Sequence, residues 1–198
     1  MKEHLLSLLR RSSSDLETFR RASDQLAYLL ASDTIKRLGH TSISIETPVG
    51  VATGKELRSE IMFVPILRAG LSILPSFLQL LPDALVGIIG IERDEETAMP
   101  HTYYKKFPDI LPGKAVIIDP MLATGGTALA TVNLLQSLKY DVSDIFFSGI
   151  VASEAGLQAL CEVLPADNIT LVVVDPELNA KKYIVPGLGD YGDRYYGT

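Results

Sequence analysis

At 198 residues, with 47% hydrophobic and 21% charged residues, the chain is long enough for one domain with a substantial core and shows no disordered or fibrous bias. A formal net charge of −6 and a pI near 5.1 argue against a broad nucleic-acid or anionic-membrane surface, although local cations can still grip a small anion. One cysteine, Cys161, excludes an intramolecular disulfide and suits a reducing cytoplasm.

The opening Met1-Lys2-Glu3-His4 has no uninterrupted apolar stretch behind it, because Arg10 and Arg11 intervene, so no signal peptide is expected. Ser14-Asp15-Leu16-Glu17 has the spacing of a capping box. Leu16, Phe19, Leu26 and Leu30 then mark an amphipathic helix to about Ser32. Ile43 to Thr47 alternates like a half-buried strand, and Pro48-Val49-Gly50 should turn the chain into a partner strand over residues 51–53. Residues 61–66 read as a buried strand. The nearly uncharged run over residues 71–91 could suggest a membrane span, but Pro75, Gln79, Pro82 and Asp83 break it into a buried helix and a buried strand joined by a turn. A long polar stretch follows, from Arg93 to Pro112.

Val116-Ile117-Ile118-Asp119-Pro120-Met121-Leu122-Ala123-Thr124-Gly125-Gly126-Thr127 reads as a buried strand that delivers one carboxylate and then a hydroxyl- and glycine-rich turn. The glycines let backbone N–H groups close on an anion, and Thr124 and Thr127 add hydroxyl donors. Leu129, Val132, Leu135 and Leu138 continue at helical spacing, which puts the cradle at a helix N-terminus. A plain strand-turn-helix connection remains the alternative. No lysine follows the glycines, which excludes a Walker-type loop, and their spacing does not fit a dinucleotide fingerprint. Residues 145–152 and 169–174 read as further buried strands around a helix over 156–164, where Cys161 is expected in the core. The stretch from Tyr183 to Arg194, with four glycines and a proline, fits neither helix nor ordinary strand.

Five apolar strands with interleaved helices imply a mostly parallel α/β sheet covered on both faces, plus an N-terminal helix, an accessory hairpin and a C-terminal loop. Ligands in such sheets bind beyond the carboxyl ends of the strands. Arg68, Arg93, the residues from Asp119 to Thr127, and Glu154 are thereby expected along one edge. Arginine suits phosphate oxygens because its planar fork donates two parallel hydrogen bonds, so Arg68 and Arg93 could hold a second phosphate group. The histidines His4, His40 and His101 lie in separate segments without metal-ligand spacing, and no glycine-flanked nucleophilic serine is present.

Four separated segments together carry a resemblance: Val64-Pro65-Ile66-Leu67-Arg68-Ala69-Gly70, Arg93-Asp94-Glu95-Glu96-Thr97, Asp119 to Thr127, and Tyr183 through Gly197. The chain resembles the uracil phosphoribosyltransferases, of the type I phosphoribosyltransferase superfamily, from about His4 to the C-terminus. Pro120 stands where most of the wider superfamily has a second acid, as it does in the uracil enzymes.

The resemblance implies a single phosphoribosyltransferase domain over residues 1–198. It implies transfer of phosphoribose from phosphoribosyl pyrophosphate (PRPP) to N1 of uracil, yielding UMP and diphosphate. On that reading Arg68, Arg93, Asp119, Pro120, Met121, Leu122, Ala123, Thr124, Gly125, Gly126, Thr127 and Asp190 bind PRPP. Asp119 holds the ribose hydroxyls, and Asp119, Asp190 and Arg93 form the catalytic set. Ile184, Gly189, Asp190 and Tyr191 form the uracil hood, reading the base largely through the main chain. Mg²⁺ arrives mainly on PRPP, without a dedicated protein ligand cluster, and the residues from Asp94 to Pro112 form a mobile flap. A homodimer or larger homo-oligomer is implied, with GTP as a candidate activator.

The chain departs from the family pattern in five places: a short N-terminal segment, Ala152-Ser153-Glu154-Ala155-Gly156, Lys182 in place of a frequent Gly, Tyr191 in place of a frequent Ala, and Thr127 in place of a frequent Ser, which keeps the hydroxyl. No histidine falls in the motifs, which leaves the general base open. The alternatives are a weakly catalytic pyrimidine-nucleotide sensor on the same fold, an enzyme for another base, and a structural domain without ligand. A regulator would be expected to carry a basic face, and a purine enzyme an acid at position 120.

Overall fold

The structure is a computed structural model that describes residues 1–57, 60–93 and 100–198, without the side chains of Arg93 and Pro100. The chain begins with α1 (Lys2–Arg10) and α2 (Leu16–Arg37), followed by β1 (His40–Thr47), β2 (Gly50–Leu57), β3 (Ile61–Leu67) and α3 (Gly70–Leu80). Next come β4 (Leu85–Val86), β5 (Ile88–Arg93), β6 (Pro100–Lys106), β7 (Lys114–Ile118), β8 (Met121–Leu122) and α4 (Gly126–Ser137). The remainder is β9 (Ile145–Ser153), α5 (Glu154–Cys161), β10 (Ile169–Asp175), β11 (Glu177–Leu178), β12 (Ile184–Val185) and α6 (Tyr191–Tyr196).

The main sheet has the order β10-β9-β7-β3-β5-β6, with β4 beside β3 and β8 beside β9. The five strands β10, β9, β7, β3 and β5 pair in parallel, as the apolar runs implied, and only β6 is antiparallel. Period-two alternation divides the buried strand residues between two cores. Ile61, Phe63, Val116, Ile118 and Phe146 pack with α1, α2 and α3 on one face. Met62, Val64, Ile66, Ala115, Ile117, Ile145 and Phe147 pack with α4 and α5 on the other. Burial on both faces explains why these strands read as continuous apolar runs rather than as alternation.

Several expectations need correction. The α2 cap is Asp15, whose carboxylate accepts from the Thr18 N–H at 2.8 Å, while the Ser14 hydroxyl donates to the Leu8 carbonyl. The capping-box spacing therefore sat one residue too early, and α2 runs on to Arg37 because Thr34 and Leu38 are buried against the sheet. Helix α1 was not expected from its nine residues, yet its Leu5 and Leu9 are buried against α2.

The strand expected over residues 84–91 is divided at Gly87 into β4 and β5, where an added Cβ would meet the Phe107 ring at 2.5 Å. The polar stretch contains β6, an edge strand whose Lys105 and Lys106 leave it unattractive to further strands. Cys161 is exposed, not core, because it follows the buried Leu160 and turns away from the sheet at the end of α5. The C-terminal stretch ends in a short helix, α6. Among the described residues, no helix is long and apolar enough to cross a membrane.

Candidate active site

β7 ends at Ile118, and the chain crosses onto β9: the Asp119 N–H donates to the Ser148 carbonyl at 3.1 Å, and the Pro120 carbonyl accepts from Ile150 and Val151, both at 3.0 Å. These bonds lock Pro120 behind the turn and leave the Asp119 carboxylate facing the strand ends. Within hydrogen-bond reach the carboxylate has the Met121 N–H, at 3.3 Å. Burial is the larger influence and pushes its carboxyl up to about 7, against which the Met121 N–H pulls weakly down.

Beyond Asp119 the chain wraps a small cavity of about 100 Å³ lined by residues 119 and 121–128. Gly125 caps α4 with a φ of 80°, the left-handed region, and it supplies no side-chain capping bond. The first turn of α4 lines this cavity, which suits an anion at the positive end of a helix. Thr127 lines the space, and the Thr124 hydroxyl lies 3.5 Å from the Gly126 nitrogen.

The turn is braced from α5. The Ser153 hydroxyl donates to the Ala123 carbonyl and itself accepts from the Gly156 N–H at 2.9 Å. A Cβ on Gly156 would lie 2.4 Å from the Ala123 carbonyl oxygen and 2.6 Å from that of Leu122, so only glycine permits this approach. Ser153 and Gly156 belong to the segment Ala152-Ser153-Glu154-Ala155-Gly156 singled out in the sequence. Glu154 opens α5 and is exposed.

A second cleft, of about 350 Å³, shares Asp119, Met121, Ala123 and Thr127 with the first cavity. Its other walls are Ile66 to Ala69 and Ile91 at the strand ends, and Lys182 to Ile184 with Gly189 to Asp193 from the C-terminal segment. Arg68 is exposed at the mouth. Its guanidinium donates to the Asp193 carboxylate at 3.0 Å and lies 5.8 Å from the Tyr196 ring centre, while the Tyr196 hydroxyl donates to the Arg68 carbonyl at 3.1 Å. Asp190 caps α6 by accepting from the Asp193 N–H at 2.9 Å.

Tyr191 has its side chain in the core, 1% exposed, edge-on to Phe19 with its hydroxyl paired to Ser23 and 3.3 Å from that of Ser72. Its ring is thus turned into the core, and Tyr191 still belongs to the cleft lining. Lys182 adopts a φ of 64°, the left-handed region that favours glycine.

Asp119, Met121, Ala123, Thr127, Arg68, Ile184, Gly189, Asp190 and Tyr191 thus converge on one cleft, and Leu122, Thr124, Gly125 and Gly126 join through the small cavity. Pro120 lies behind the turn rather than in either lining. Arg93 ends β5, the strand that brings Ile91 to the cleft, but its side chain and residues 94–99 lie outside the described residues. Asp193, the partner of Arg68, was not singled out from the sequence. Its only signal was a charged pair, Asp193-Arg194, inside a glycine-rich stretch.

The family model for uracil phosphoribosyltransferase matches residues 1–198. A curated uracil phosphoribosyltransferase of Campylobacter concisus is 41% identical over 197 residues, covering 99% of this chain and 94% of that protein. One from Agathobacter rectalis is 42% identical over 198 residues, with the same coverage. A solved structure of an Aquifex aeolicus protein superposes with a TM-score of 0.84 at 35% identity, covering 100% of this chain and 94% of that one. A hypoxanthine-guanine phosphoribosyltransferase of Bacillus anthracis shares the fold at 11% identity, with a TM-score of 0.51 over 80% of each chain. The chain belongs to the uracil phosphoribosyltransferase family.

Proposed function

We propose that this protein transfers the phosphoribosyl group of PRPP to N1 of uracil, giving UMP and diphosphate in cytoplasmic pyrimidine salvage. The observation that carries the reading is the placement of Asp119 where a small cavity at the start of α4 meets a larger cleft closed by the C-terminal segment. A nucleotide needs three subsites in a row, and this surface offers a phosphate end, a carboxylate for a sugar, and a base end.

In this account the residues from Ala123 to Thr127 hold the 5′-phosphate through amides and hydroxyls, with Met121 and Leu122 completing the lining and Pro120 fixing the turn. Asp119 accepts from the ribose hydroxyls. Arg68 and Arg93 receive the diphosphate. Ile184, Gly189, Asp190 and Tyr191 receive the base, and main-chain groups can tell uracil from cytosine because N3 and the C4 substituent exchange donor and acceptor between the two. A mismatched buried polar pair costs about 1–3 kcal/mol.

Breaking the C1′–oxygen bond builds positive charge on the ribose and negative charge on the departing diphosphate. Preorganised guanidinium groups stabilise the latter, and fixing the ribose at Asp119 aligns C1′ with uracil N1. No covalent intermediate with the chain is required, and the N1 proton leaves late, to diphosphate or water.

Among the described residues, no three His, Cys, Asp or Glu side chains gather around one point, while the Asp119 and Asp190 carboxylates line the cleft. Oxygen donors of this kind would fit Mg²⁺ held mainly by substrate phosphates and its own waters, with Asp190 as the chain's candidate contact. When bound, Mg²⁺ supplies charge neutralisation for the diphosphate. Two cores on one sheet, drawn from Leu5 to Tyr191 and from Met62 to Ile169, support one domain over residues 1–198. A homodimer or larger assembly is part of this reading, with the exposed β1–β2 hairpin as a candidate contact.

The test is to incubate the protein with PRPP, Mg²⁺ and uracil, cytosine, adenine or hypoxanthine in turn. Equal amounts of UMP and diphosphate are expected with uracil alone, and absence of turnover with uracil contradicts the proposal. Adding GTP to the same assay scores its role as an activator.

A further inference from the structure

The base end of the cleft is formed by a loop that is gripped from outside the site. At the end of β10, Asp175 is 3% exposed and lines neither cavity. One of its carboxylate oxygens accepts from the Arg10 guanidinium at 2.6 Å, and the other accepts from the Gly187 N–H at 2.9 Å. Arg10 also donates to the Gly187 carbonyl at 3.3 Å. Gly187 has a φ of +55°, and a Cβ there would fall 2.0 Å from the Ile184 carbonyl oxygen, so the chain folds back over Ile184 at this point.

On the next residue, the Leu188 carbonyl accepts from Arg194 at 2.7 Å. The same guanidinium donates to the carbonyls of Leu9 and Arg11, the latter at 2.7 Å, and lies 4.4 Å from the Phe19 ring centre. Both grips therefore run to the carboxyl end of α1. Ile184 and Gly189, which flank the gripped residues, line the cleft, whereas Arg10, Asp175 and Arg194 do not.

We propose that Asp175, clamped between Arg10 and the Gly187 N–H, is a positioning residue that sets the base-reading loop and hence uracil recognition. This rests on the reading of the cleft as a uracil site. Main-chain groups discriminate a base only when held to within about half an ångström, and this loop has no regular ladder beyond the two-residue pairing of β11 with β12. A buried carboxylate that satisfies a backbone donor and a guanidinium at once supplies that constraint. The 5′-phosphate cradle is braced through the Ser153 hydroxyl and Gly156; Ser153 is the β9 register partner of Asp175, but their side chains go to different partners, so loosening the clamp should weaken uracil more than PRPP.

The experiment compares the full-length protein with Asp175→Asn, Arg10→Met, Arg10→Lys and the Arg10→Met/Asp175→Asn double variant, measuring KM for uracil and for PRPP separately, with Tm alongside. Wild-type turnover with uracil is scored first, and its absence would remove both the functional reading and this inference. Given turnover, Asp175→Asn and Arg10→Met should each raise the uracil KM about tenfold while PRPP KM stays within about twofold. Arg10→Lys should recover part of the loss, and the double variant should be no worse than the more impaired single one. Should Asp175→Asn fail to fold, the two Arg10 variants at the more exposed partner carry the same comparison. Variants that lose Tm with no split between the two KM values, or whose two KM values rise together, would overturn the inference.

Discussion

Asp119 stands where the two cavities meet, and burial raises its carboxyl from the ordinary 3.8 to about 7. The folded chain then keeps a proton that the unfolded chain releases, so this group's contribution to stability is largest below 3.8 and declines as pH rises to about 7. Asp119→Asn removes that penalty. Its Tm should exceed that of the wild type at pH 8, by a margin that shrinks toward pH 5 in thermal melts, while kcat/KM falls tenfold or more through loss of about 1.5–3 kcal/mol of charge-assisted hydrogen bonding. Unchanged kinetics would remove Asp119 from the site. Ribose hydroxyls donate to the ionised form, so affinity for UMP should be full above about pH 7 and weaken as pH falls below it, which titration calorimetry across that range would read. Tyr191 makes the opposite kind of claim. Tyr191→Phe should cost about 1–2 kcal/mol of stability by stranding the buried Ser23 hydroxyl, yet leave the uracil KM within about twofold. A large change in that KM would mean that the tyrosine ring, not its backbone, meets the base.

At the level of elements, the cradle depends on the contact between the residues after Asp119 and the start of α5. Gly156→Ala would place a methyl against two carbonyl oxygens that cannot swing aside, and the turn at 121–124 would have to move. PRPP KM should rise about tenfold in steady-state kinetics, with a smaller change for uracil; equal changes would show that the brace is not specific to the phosphate end. This brace was not legible in the sequence, although the strand, turn and helix start that it supports were. Val116 to Ile118 is an apolar run because β7 is buried on both faces, and Gly125 announces a left-handed cap, so both features are local. Ser153 and Gly156 act on a turn thirty residues away, and such a contact has no periodicity to betray it. The same reason hides the pairing of Arg68 with Asp193 and the clamp at Asp175, whose partners are distant in sequence. Helix α1 was masked because Arg10 and Arg11 look like an interruption, whereas Arg10 is spent on Asp175. Edge strand β6 escaped for lack of an apolar face.

Across the whole molecule, a single sheet carries the site at the carboxyl ends of β3, β5 and β7, and the two helical layers serve different ends of it. Helices α4 and α5 shape the proposed phosphate end, while α1, α2 and α6 hold the proposed base end through Arg10, Phe19, Ser23 and Arg194. A ligand that spans both ends should therefore stabilise the entire fold, and UMP at a hundredfold excess over its Kd should add about 2.7 kcal/mol, or roughly 5–11 °C in Tm. The most direct measurement is a crystal structure of the protein with UMP. The account predicts the 5′-phosphate against the residues from Ala123 to Thr127, the ribose hydroxyls on Asp119, and the uracil ring against the main chain of Gly189 to Tyr191. A nucleotide seated elsewhere, or one whose base lies away from the C-terminal loop, would contradict it.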